Sequence, residues 1–289
     1  MKPIVKLRVS VALITAALVL PFASAAHAQS TLGGTWSVQS TSSDTANVQF
    51  GVRYDTDNEH SDWSRDVPLS ALTGLTRDQL QAASSNVRFD VAREAGTLHC
   101  TGTAAHGSAG GTFSFSPSSS FSDALAARGI SRPDDVQQLR LTMANATIAF
   151  IDMLRRNSST ITTTDDIIRV LNHGVDERYV TGLASLGYRN LGANDLVRLR
   201  DHGVTVEFVQ GVQALGYRPT PEELIRLRDH GVTVGYISGL QALGYRPSAQ
   251  DLVRLADHGV TVEFARHVHD RGYNATVEQL IRMRDAGIS

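Results

Sequence analysis

A seven-residue phrase recurs along the second half of the chain and limits the folds open to it. Leu227–Thr233, with the sequence LRDHGVT, recurs as Leu199–Thr205 and, with one change, as Leu255–Thr261. The phrase Leu-Gly-Tyr alternates with these copies, starting at Leu186, Leu215 and Leu243. The glycine that follows each histidine returns every 28 or 29 residues. A fixed period of this length indicates a tandem array of one structural unit.

Each repeat contains the signals that start and stop two short helices. Thr220 is a suitable N-cap, Pro221 suits the first helical position, and Glu223 completes a capping box. Gly231 falls where a helix ends in the left-handed conformation, which glycine adopts without a Cβ penalty. Thr233 then caps a second helix with apolar residues at helical spacing.

Helices of about ten residues are marginal alone, because helix nucleation is costly. Stacking of neighbouring repeats buries their apolar faces, so the sequence predicts an α-solenoid of about 4.5 repeats over residues 158–289. One aromatic per repeat occupies the same register and is predicted to form a ladder inside the array, at Tyr179, Phe208, Tyr236 and Phe264.

The first half of the chain predicts a different architecture. Residues 1–28 combine a basic start, an apolar run and the ending Ala26-His27-Ala28, which is the pattern of a cleaved secretory signal peptide. Residues 29–120 show the period-two alternation of strands, as at Val48–Tyr54, and predict an antiparallel sheet or sandwich. Residues 121–157 predict connecting helices over 123–129 and 133–156. The expected class is therefore α+β.

Composition excludes several chemistries. Three of the 27 Lys and Arg residues lie in the signal segment, and the rest of the chain has 24 arginines, no lysine and 29 acidic residues. A lysine nucleophile, Schiff base or phosphate-loop lysine is thus excluded, and the slight acidity argues against nucleic acid as the partner. Cys100 is the only cysteine, so no internal disulfide forms, and it is predicted to be a buried strand thiol.

Two segments of the β domain suggest ligand sites. Asp55, Asp57 and Glu59 present oxygens at alternate positions, as in calcium loops, but His60 occupies the position that requires glycine. A solvated hairpin loop is the preferred interpretation. The loop predicted from His106 to Gly111 is rich in glycine, but a strand follows it, whereas phosphate cradles need a helix there.

Two side-chain types recur in register in the array. His173, His202, His230 and His258 each lie one residue before a helix-ending glycine, where imidazolium is favoured by the helix dipole. Capping is the preferred role, and a row of metal-binding or pH-responsive histidines is the alternative. Mid-helix glycines recur at Gly182, Gly211 and Gly239, with His267 at that register in the last repeat. These glycines predict a close helix contact, with a ligand groove as the alternative.

The repeats resemble those of uncharacterised secreted bacterial proteins and of the extracytoplasmic tails of antibiotic-sensor-type membrane metallopeptidases. The resemblance extends to Gly96–Gly102 and Phe113–Pro117 of the first domain. It implies extracytoplasmic recognition or sensing and supplies no activity. The metallopeptidase motif H-E-x-x-H does not occur in this chain.

The sequence therefore predicts a non-enzymatic periplasmic or secreted module that binds a protein or peptide through its repeat surface. No catalytic residue, cofactor, nucleic-acid partner or membrane span after signal cleavage is expected. Two alternatives stay open: a hydrolase in the β domain and a metal or pH sensor based on the repeated histidines. The hydrolase would draw on nearby serines and on His60, His99, His106, Asp55 and Asp57.

Overall fold

The computed structural model describes residues 32–40, 46–56 and 59–288 of the chain. Six β-strands come first, and helices packed in two rows follow. The α+β class, with an N-terminal antiparallel β domain before an α-helical repeat array, is confirmed. The predicted signal peptide, residues 1–28, lies outside the described residues.

The strands form one antiparallel sheet. They are β1 (Gly33–Ser40), β2 (Asn47–Thr56), β3 (Glu59–Pro68), β4 (Ser85–Arg93), β5 (Gly96–Ala105) and β6 (Ser108–Pro117). Their order is β3-β2-β1-β6-β5-β4, so two groups of three consecutive strands meet where β1 pairs with β6. The edge strand β3 is rich in charged residues, which disfavours pairing with another chain.

One face of the sheet is buried and the other faces solvent. In β2 the side chains of Val48, Phe50 and Val52 are buried, whereas Gln49 and Arg53 are exposed. A 3-10 helix (Leu69–Ala71) and α1 (Arg77–Gln81) follow β3, and Leu80 of α1 packs into this core. The alternation predicted from the sequence thus places the core on a single face.

The turn between β5 and β6 is shorter than predicted. His106 and Gly107 both have positive φ, at 51° and 87°, as a two-residue hairpin turn of type I′ requires. The predicted loop from His106 to Gly111 is therefore wrong in extent, because β6 begins at Ser108 and includes Gly110 and Gly111. Both glycines are part of the sheet and form no cradle.

The helices stack in two rows. They are α2 (Ser119–Ala126), α3 (Asp135–Met143), α4 (Ile148–Asn157), α5 (Thr164–Asn172), α6 (Glu177–Ser185), α7 (Ala193–Asp201), α8 (Val206–Ala214), α9 (Pro221–Asp229), α10 (Val234–Ala242), α11 (Ala249–Asp257), α12 (Val262–Asp270) and α13 (Val277–Asp285). Odd-numbered helices from α3 contact each other in sequence, and so do even-numbered helices from α2. This is the packing of a solenoid, in which each repeat contacts its neighbours.

The predicted helix signals act as the sequence indicated. The Thr233 hydroxyl accepts a hydrogen bond from the Tyr236 N–H at the start of α10. Gly231 has φ of 70°, and the Val232 N–H donates to the Leu227 carbonyl at 2.9 Å, which is the Schellman bond that ends α9. Local chemistry therefore fixes both boundaries of each repeat.

The helices predicted as connectors share the register of the repeats. The predicted helix over 133–156 is two helices, α3 and α4, separated at Asn145, whose φ of 55° matches the glycine position of later repeats. Phe121 and Phe150 continue the aromatic register toward the N-terminus at the same 29-residue spacing. Array packing thus begins at α2, directly after the last strand.

Candidate functional site

The four repeated histidines lie at one edge of the array. His173, His202, His230 and His258 are the C-cap residues of α5, α7, α9 and α11. We call this edge the His–Asp edge; it comprises residues 173–176, 202–205, 230–233 and 258–261 and the helix ends beside them. The turns that contain Gly-Tyr-Arg lie at the opposite ends of the same helices.

Each histidine pairs with an aspartate of the following repeat. The Nδ1 atoms of His173, His202, His230 and His258 lie 2.9, 2.7, 2.6 and 2.9 Å from the carboxylates of Asp201, Asp229, Asp257 and Asp285, respectively. A looser copy of the phrase at Val170–Val175 has Asn172 in place of the aspartate, and a truncated copy at Met283–Ile288 has Ala286 in place of the histidine. All eight groups of this His–Asp ladder are consequently paired.

The ladder connects neighbouring repeats at the surface. All eight side chains are 40–50 % exposed, and the pairs are ionic only while the imidazoles are protonated. Exposed pairs of this kind contribute about 0.2–1 kcal/mol each to stability. The positions of the histidines at helix ends could be predicted from the sequence, but their partners could not, because the aspartate of a pair belongs to the next repeat.

No metal cluster forms on this edge within the described ranges. There, no three His, Cys, Asp or Glu side chains converge on one point. Each histidine instead directs Nδ1 to its own aspartate, and helices in contact lie about 8–10 Å apart. The metal or pH sensor stays a prediction that rests on the histidines alone.

Arginines cover the aromatic ladder on the same edge. The guanidinium carbons of Arg200, Arg228 and Arg284 lie 5.1, 5.0 and 5.5 Å from the ring centres of Tyr179, Phe208 and Phe264 in the preceding repeat. These three rings are buried, as the predicted internal ladder requires, whereas Tyr236 is half-buried. The recurrence of arginine at one position of the repeat is visible in the sequence. Its stacking on an aromatic ring is not, because this contact depends on how one repeat is superposed on the next.

The mid-helix glycines face the next repeat. A methyl group placed on the Cα of Gly182, Gly211 or Gly239 would lie 2.7 Å from a valine Cγ2 of the following even-numbered helix. The valines are Val206, Val234 and Val262. This geometry supports the predicted close helix contact. In the described part of the chain α12 is the last helix of the even row, and His267 occupies the same register in it.

The acidic hairpin of the β domain is held by pairs across its strands. Asp55 is the penultimate residue of β2 and pairs with His60, while the Arg53 guanidinium lies 2.6 Å from the Asp62 carboxylate. Glu59 begins β3, and Asp57 lies outside the described residues. The calcium interpretation is therefore not decided, although the observed partners of Asp55 and Asp62 are His60 and Arg53 of this chain.

The residues predicted for a hydrolase do not gather at one place, because Asp55 and His60 pair at the β2–β3 hairpin whereas His99 lies on β5. His99 on β5 is opposite Asp90 and Ser114 on its two neighbouring strands, and its Nδ1 lies 2.9 Å from the Asp90 carboxylate. His106 occupies the β5–β6 turn. Among the described residues no hydrogen bond joins His99 to Ser114, so the contact between nucleophile and base is not formed. The hydrolase interpretation stays a prediction.

Cys100 is an inert core residue. Its side chain is fully buried on β5, and burial, followed by the nearby Asp90 charge, raises the pKa of the thiol to about 12. Thiolate is the reactive form of cysteine. The predicted buried strand thiol is confirmed.

A groove between the sheet and the array was not predicted. Cavities of about 270 and 470 Å³ share Arg140 of α3 and Asn172 of α5 in their walls, and Trp63 and Tyr54 line the first of them. Arg140 Nε donates a hydrogen bond to the Tyr54 hydroxyl at 3.1 Å, which joins the two parts of the protein. Residues so distant in sequence give no pattern from which this groove could be inferred.

Comparison with known proteins adds no further assignment. A scan against protein-family models and searches of curated proteins and of solved structures returned no match to this chain. The resemblance to secreted bacterial repeat proteins therefore stays a prediction. Within the described residues, the helices are all too short or too polar to cross a bilayer.

Proposed function

We propose that the protein is a non-enzymatic extracytoplasmic interaction module that binds a protein or peptide along the His–Asp edge. The observation that carries this proposal is the regular, half-exposed ladder of four histidine–aspartate pairs, which repeats with the period of the array. Solenoids bind partners on such extended surfaces, since each repeat adds an equivalent contact.

The composition of this edge also favours a polypeptide partner. It presents carboxylates, imidazoles and arginines in a fixed register, with aromatic rings directly beneath the guanidinium groups. Arginine and aromatic side chains are enriched at protein interfaces and among their energetic hot spots. A cavity of about 630 Å³ opens on the same edge between α10 and α12, within the size range of ligand pockets.

Capture by the full chain after signal removal tests the proposal. We expect one or a few extracytoplasmic proteins to be retained, and a variant with both His202→Ala and His230→Ala to bind them about tenfold more weakly. The matched control is Arg218→Ala with Arg246→Ala, which alters two exposed residues at the opposite helix ends. Circular dichroism would verify that both variants fold.

An inert column contradicts the proposal. Equal loss of binding in both double variants would also contradict it, because the partner would then not recognise this edge.

A further inference from the structure

Among the four junctions that start from Tyr179, Phe208, Tyr236 and Phe264, one lacks the arginine that covers the aromatic ring in the other three. At three junctions the arginine at the eighth helical position of α7, α9 or α13 lies over the ring of the preceding repeat. In α11 that position is Ala256, and the ring it would cover is Tyr236. Tyr179, Phe208 and Phe264 are 3–7 % exposed, whereas Tyr236 is only half-buried.

A second substitution by a small residue lies at the same junction. Arg178 and Glu207, at equivalent positions of α6 and α8, form an ion pair at 3.7 Å. The next residue in this series is Gly235 of α10, and after it comes Glu263 of α12. Glu263 consequently faces a glycine where Glu207 faces an arginine, and it has no ion-pair partner among the described residues.

The two small residues open the cavity of about 630 Å³ on the His–Asp edge. Its wall includes Tyr236, Gly235, Ala256 and Glu263. The Tyr236 hydroxyl donates a hydrogen bond to the Val260 carbonyl at 2.6 Å, which fixes the ring in place. Burial raises the pKa of Tyr236 to about 12, so the ring stays neutral at physiological pH.

The chemistry of the cavity selects one kind of occupant. An aromatic face attracts a guanidinium group, and a nearby carboxylate accepts its N–H donors. Elsewhere in the array, different arginines of this chain make these two kinds of contact. Arg200 and Arg228 lie over the rings of Tyr179 and Phe208, and Arg178 pairs with Glu207. The other ionisable groups of the wall are Arg266, which opposes a cation, and His230, which is paired with Asp257.

We propose that the cavity bounded by Tyr236, Ala256 and Glu263 binds an arginine side chain of the partner. The partner's guanidinium group stacks on Tyr236 and pairs with Glu263. It thereby combines two contacts that different arginines of this chain make elsewhere, Arg200 over Tyr179 and Arg178 with Glu207. The proposal rests on the proposed function and specifies the partner's chemistry: an exposed arginine in a protein or peptide.

Amide NMR of the full chain after signal removal tests the site with a defined probe. N-acetyl-arginine amide is titrated while the amides of Gly235, Tyr236 and Ala256 are followed, and the citrulline analogue serves as a neutral probe of the same shape. We expect saturable chemical-shift changes with the arginine probe. The citrulline probe should bind about tenfold more weakly, because its neutral side chain forms neither a cation–π contact with Tyr236 nor an ion pair with Glu263. Equal binding of the two probes overturns the proposal.

Variants of the cavity supply the decisive control. Ala256→Arg restores the residue found at the other junctions and is expected to fold and to abolish binding of the probe. Glu263→Gln is expected to weaken binding by about tenfold, and Arg266→Ala to strengthen it. Ala242→Arg adds the same charge at the exposed far end of α10 and should leave binding unchanged. Undiminished binding in Ala256→Arg overturns the assignment.

The two proposals fail differently. If a captured partner binds Ala256→Arg as tightly as the natural chain, the arginine site is wrong and the interaction module stands. If the arginine probe binds as expected but the capture experiment yields nothing, the site is supported and the proposed function is contradicted.

Discussion

Each Asp-His dipeptide of the array connects three repeats through two adjacent side chains. Asp201 pairs backward with His173, and the neighbouring His202 pairs forward with Asp229. Adjacent residues at a helix end point in different directions, so the two members of a dipeptide are not partners of each other. A motif that resembles an acid–base pair in the sequence is therefore a series of contacts between repeats.

The buried thiol of Cys100 gives the protein a pH-dependent stability. Because its pKa is raised to about 12 in the folded chain, the folded state retains a proton that the unfolded state loses above about pH 8.5. The stabilisation of the folded state by the protonated Cys100 thiol is fully present below that pH and is lost as the pH rises toward 12. We expect the stability difference between the natural chain and Cys100→Ala to shrink by about 2 kcal/mol between pH 7.5 and pH 10.

Urea unfolding at the two pH values measures this change. Comparison with Cys100→Ala removes the tyrosine contributions, which burial also shifts to higher pKa. A stability difference that stays constant with pH would show that the thiol is not desolvated as the structure indicates.

At the scale of single elements, the two glycines of α10 have opposite roles. Gly239 meets Val262 of the next repeat, whereas at Gly235 an added methyl group would have no neighbour closer than the Thr233 hydroxyl at 3.9 Å. Helix propensity favours alanine over glycine by about 1 kcal/mol at both sites. Only at Gly239 is this gain opposed by overpacking against a stiff β-branched side chain, which costs about 1–3 kcal/mol.

We predict that Gly235→Ala raises the melting temperature and Gly239→Ala lowers it. Thermal unfolding followed by circular dichroism measures both changes. Removal of the obstructing side chain in Gly239→Ala with Val262→Ala is expected to relieve the overpacking, and this double variant serves as the control. A shift of the same sign in both single variants would exclude the helix contact as the reason for Gly239.

At the scale of the whole molecule, α3 belongs to the sheet and to the array. Leu139 and Met143 pack in the core of the sheet, while Leu141 packs in the core of the array. Gln138 is buried, and its side-chain amide donates to the Ala95 and Ser118 carbonyls at 3.0 and 2.7 Å. One helix thus couples two cores of different architecture.

We predict that Leu139→Ala destabilises both parts, whereas Leu252→Ala in α11 destabilises the array alone. Both leucines are fully buried, and their truncation costs about 2–5 kcal/mol locally. Tryptophan fluorescence reports on the sheet, because Trp36 lies on β1 and Trp63 on β3, and far-ultraviolet circular dichroism reports largely on the helices. For Leu139→Ala both unfolding midpoints should fall together, and for Leu252→Ala the fluorescence midpoint should stay nearly unchanged.

A helical midpoint unaffected by Leu139→Ala would contradict the coupling through α3. It would show that the sheet unfolds without the array, despite the shared helix.

The local structure of this protein could be inferred from its amino-acid sequence alone. Caps such as Thr220 and Thr233, stop glycines such as Gly231 and the strand alternation at Val48–Tyr54 act within a few residues, so their consequences could be inferred from spacing. The α+β class and the positions of the histidines at helix ends follow from these local rules. Asn145 was missed because a non-glycine residue adopts the left-handed conformation there.

The contacts between distant side chains became visible only in the folded chain. The pairing of His202 with Asp229, the arginine cover of Phe208 and the groove at Trp63 join residues of different repeats or domains. Such contacts depend on the superposition of one repeat on the next, a geometry that no local pattern encodes. For the same reason, the sequence alone does not show the consequence of having Ala256 where other repeats have arginine. The structure shows that it leaves the neighbouring ring of Tyr236 uncovered.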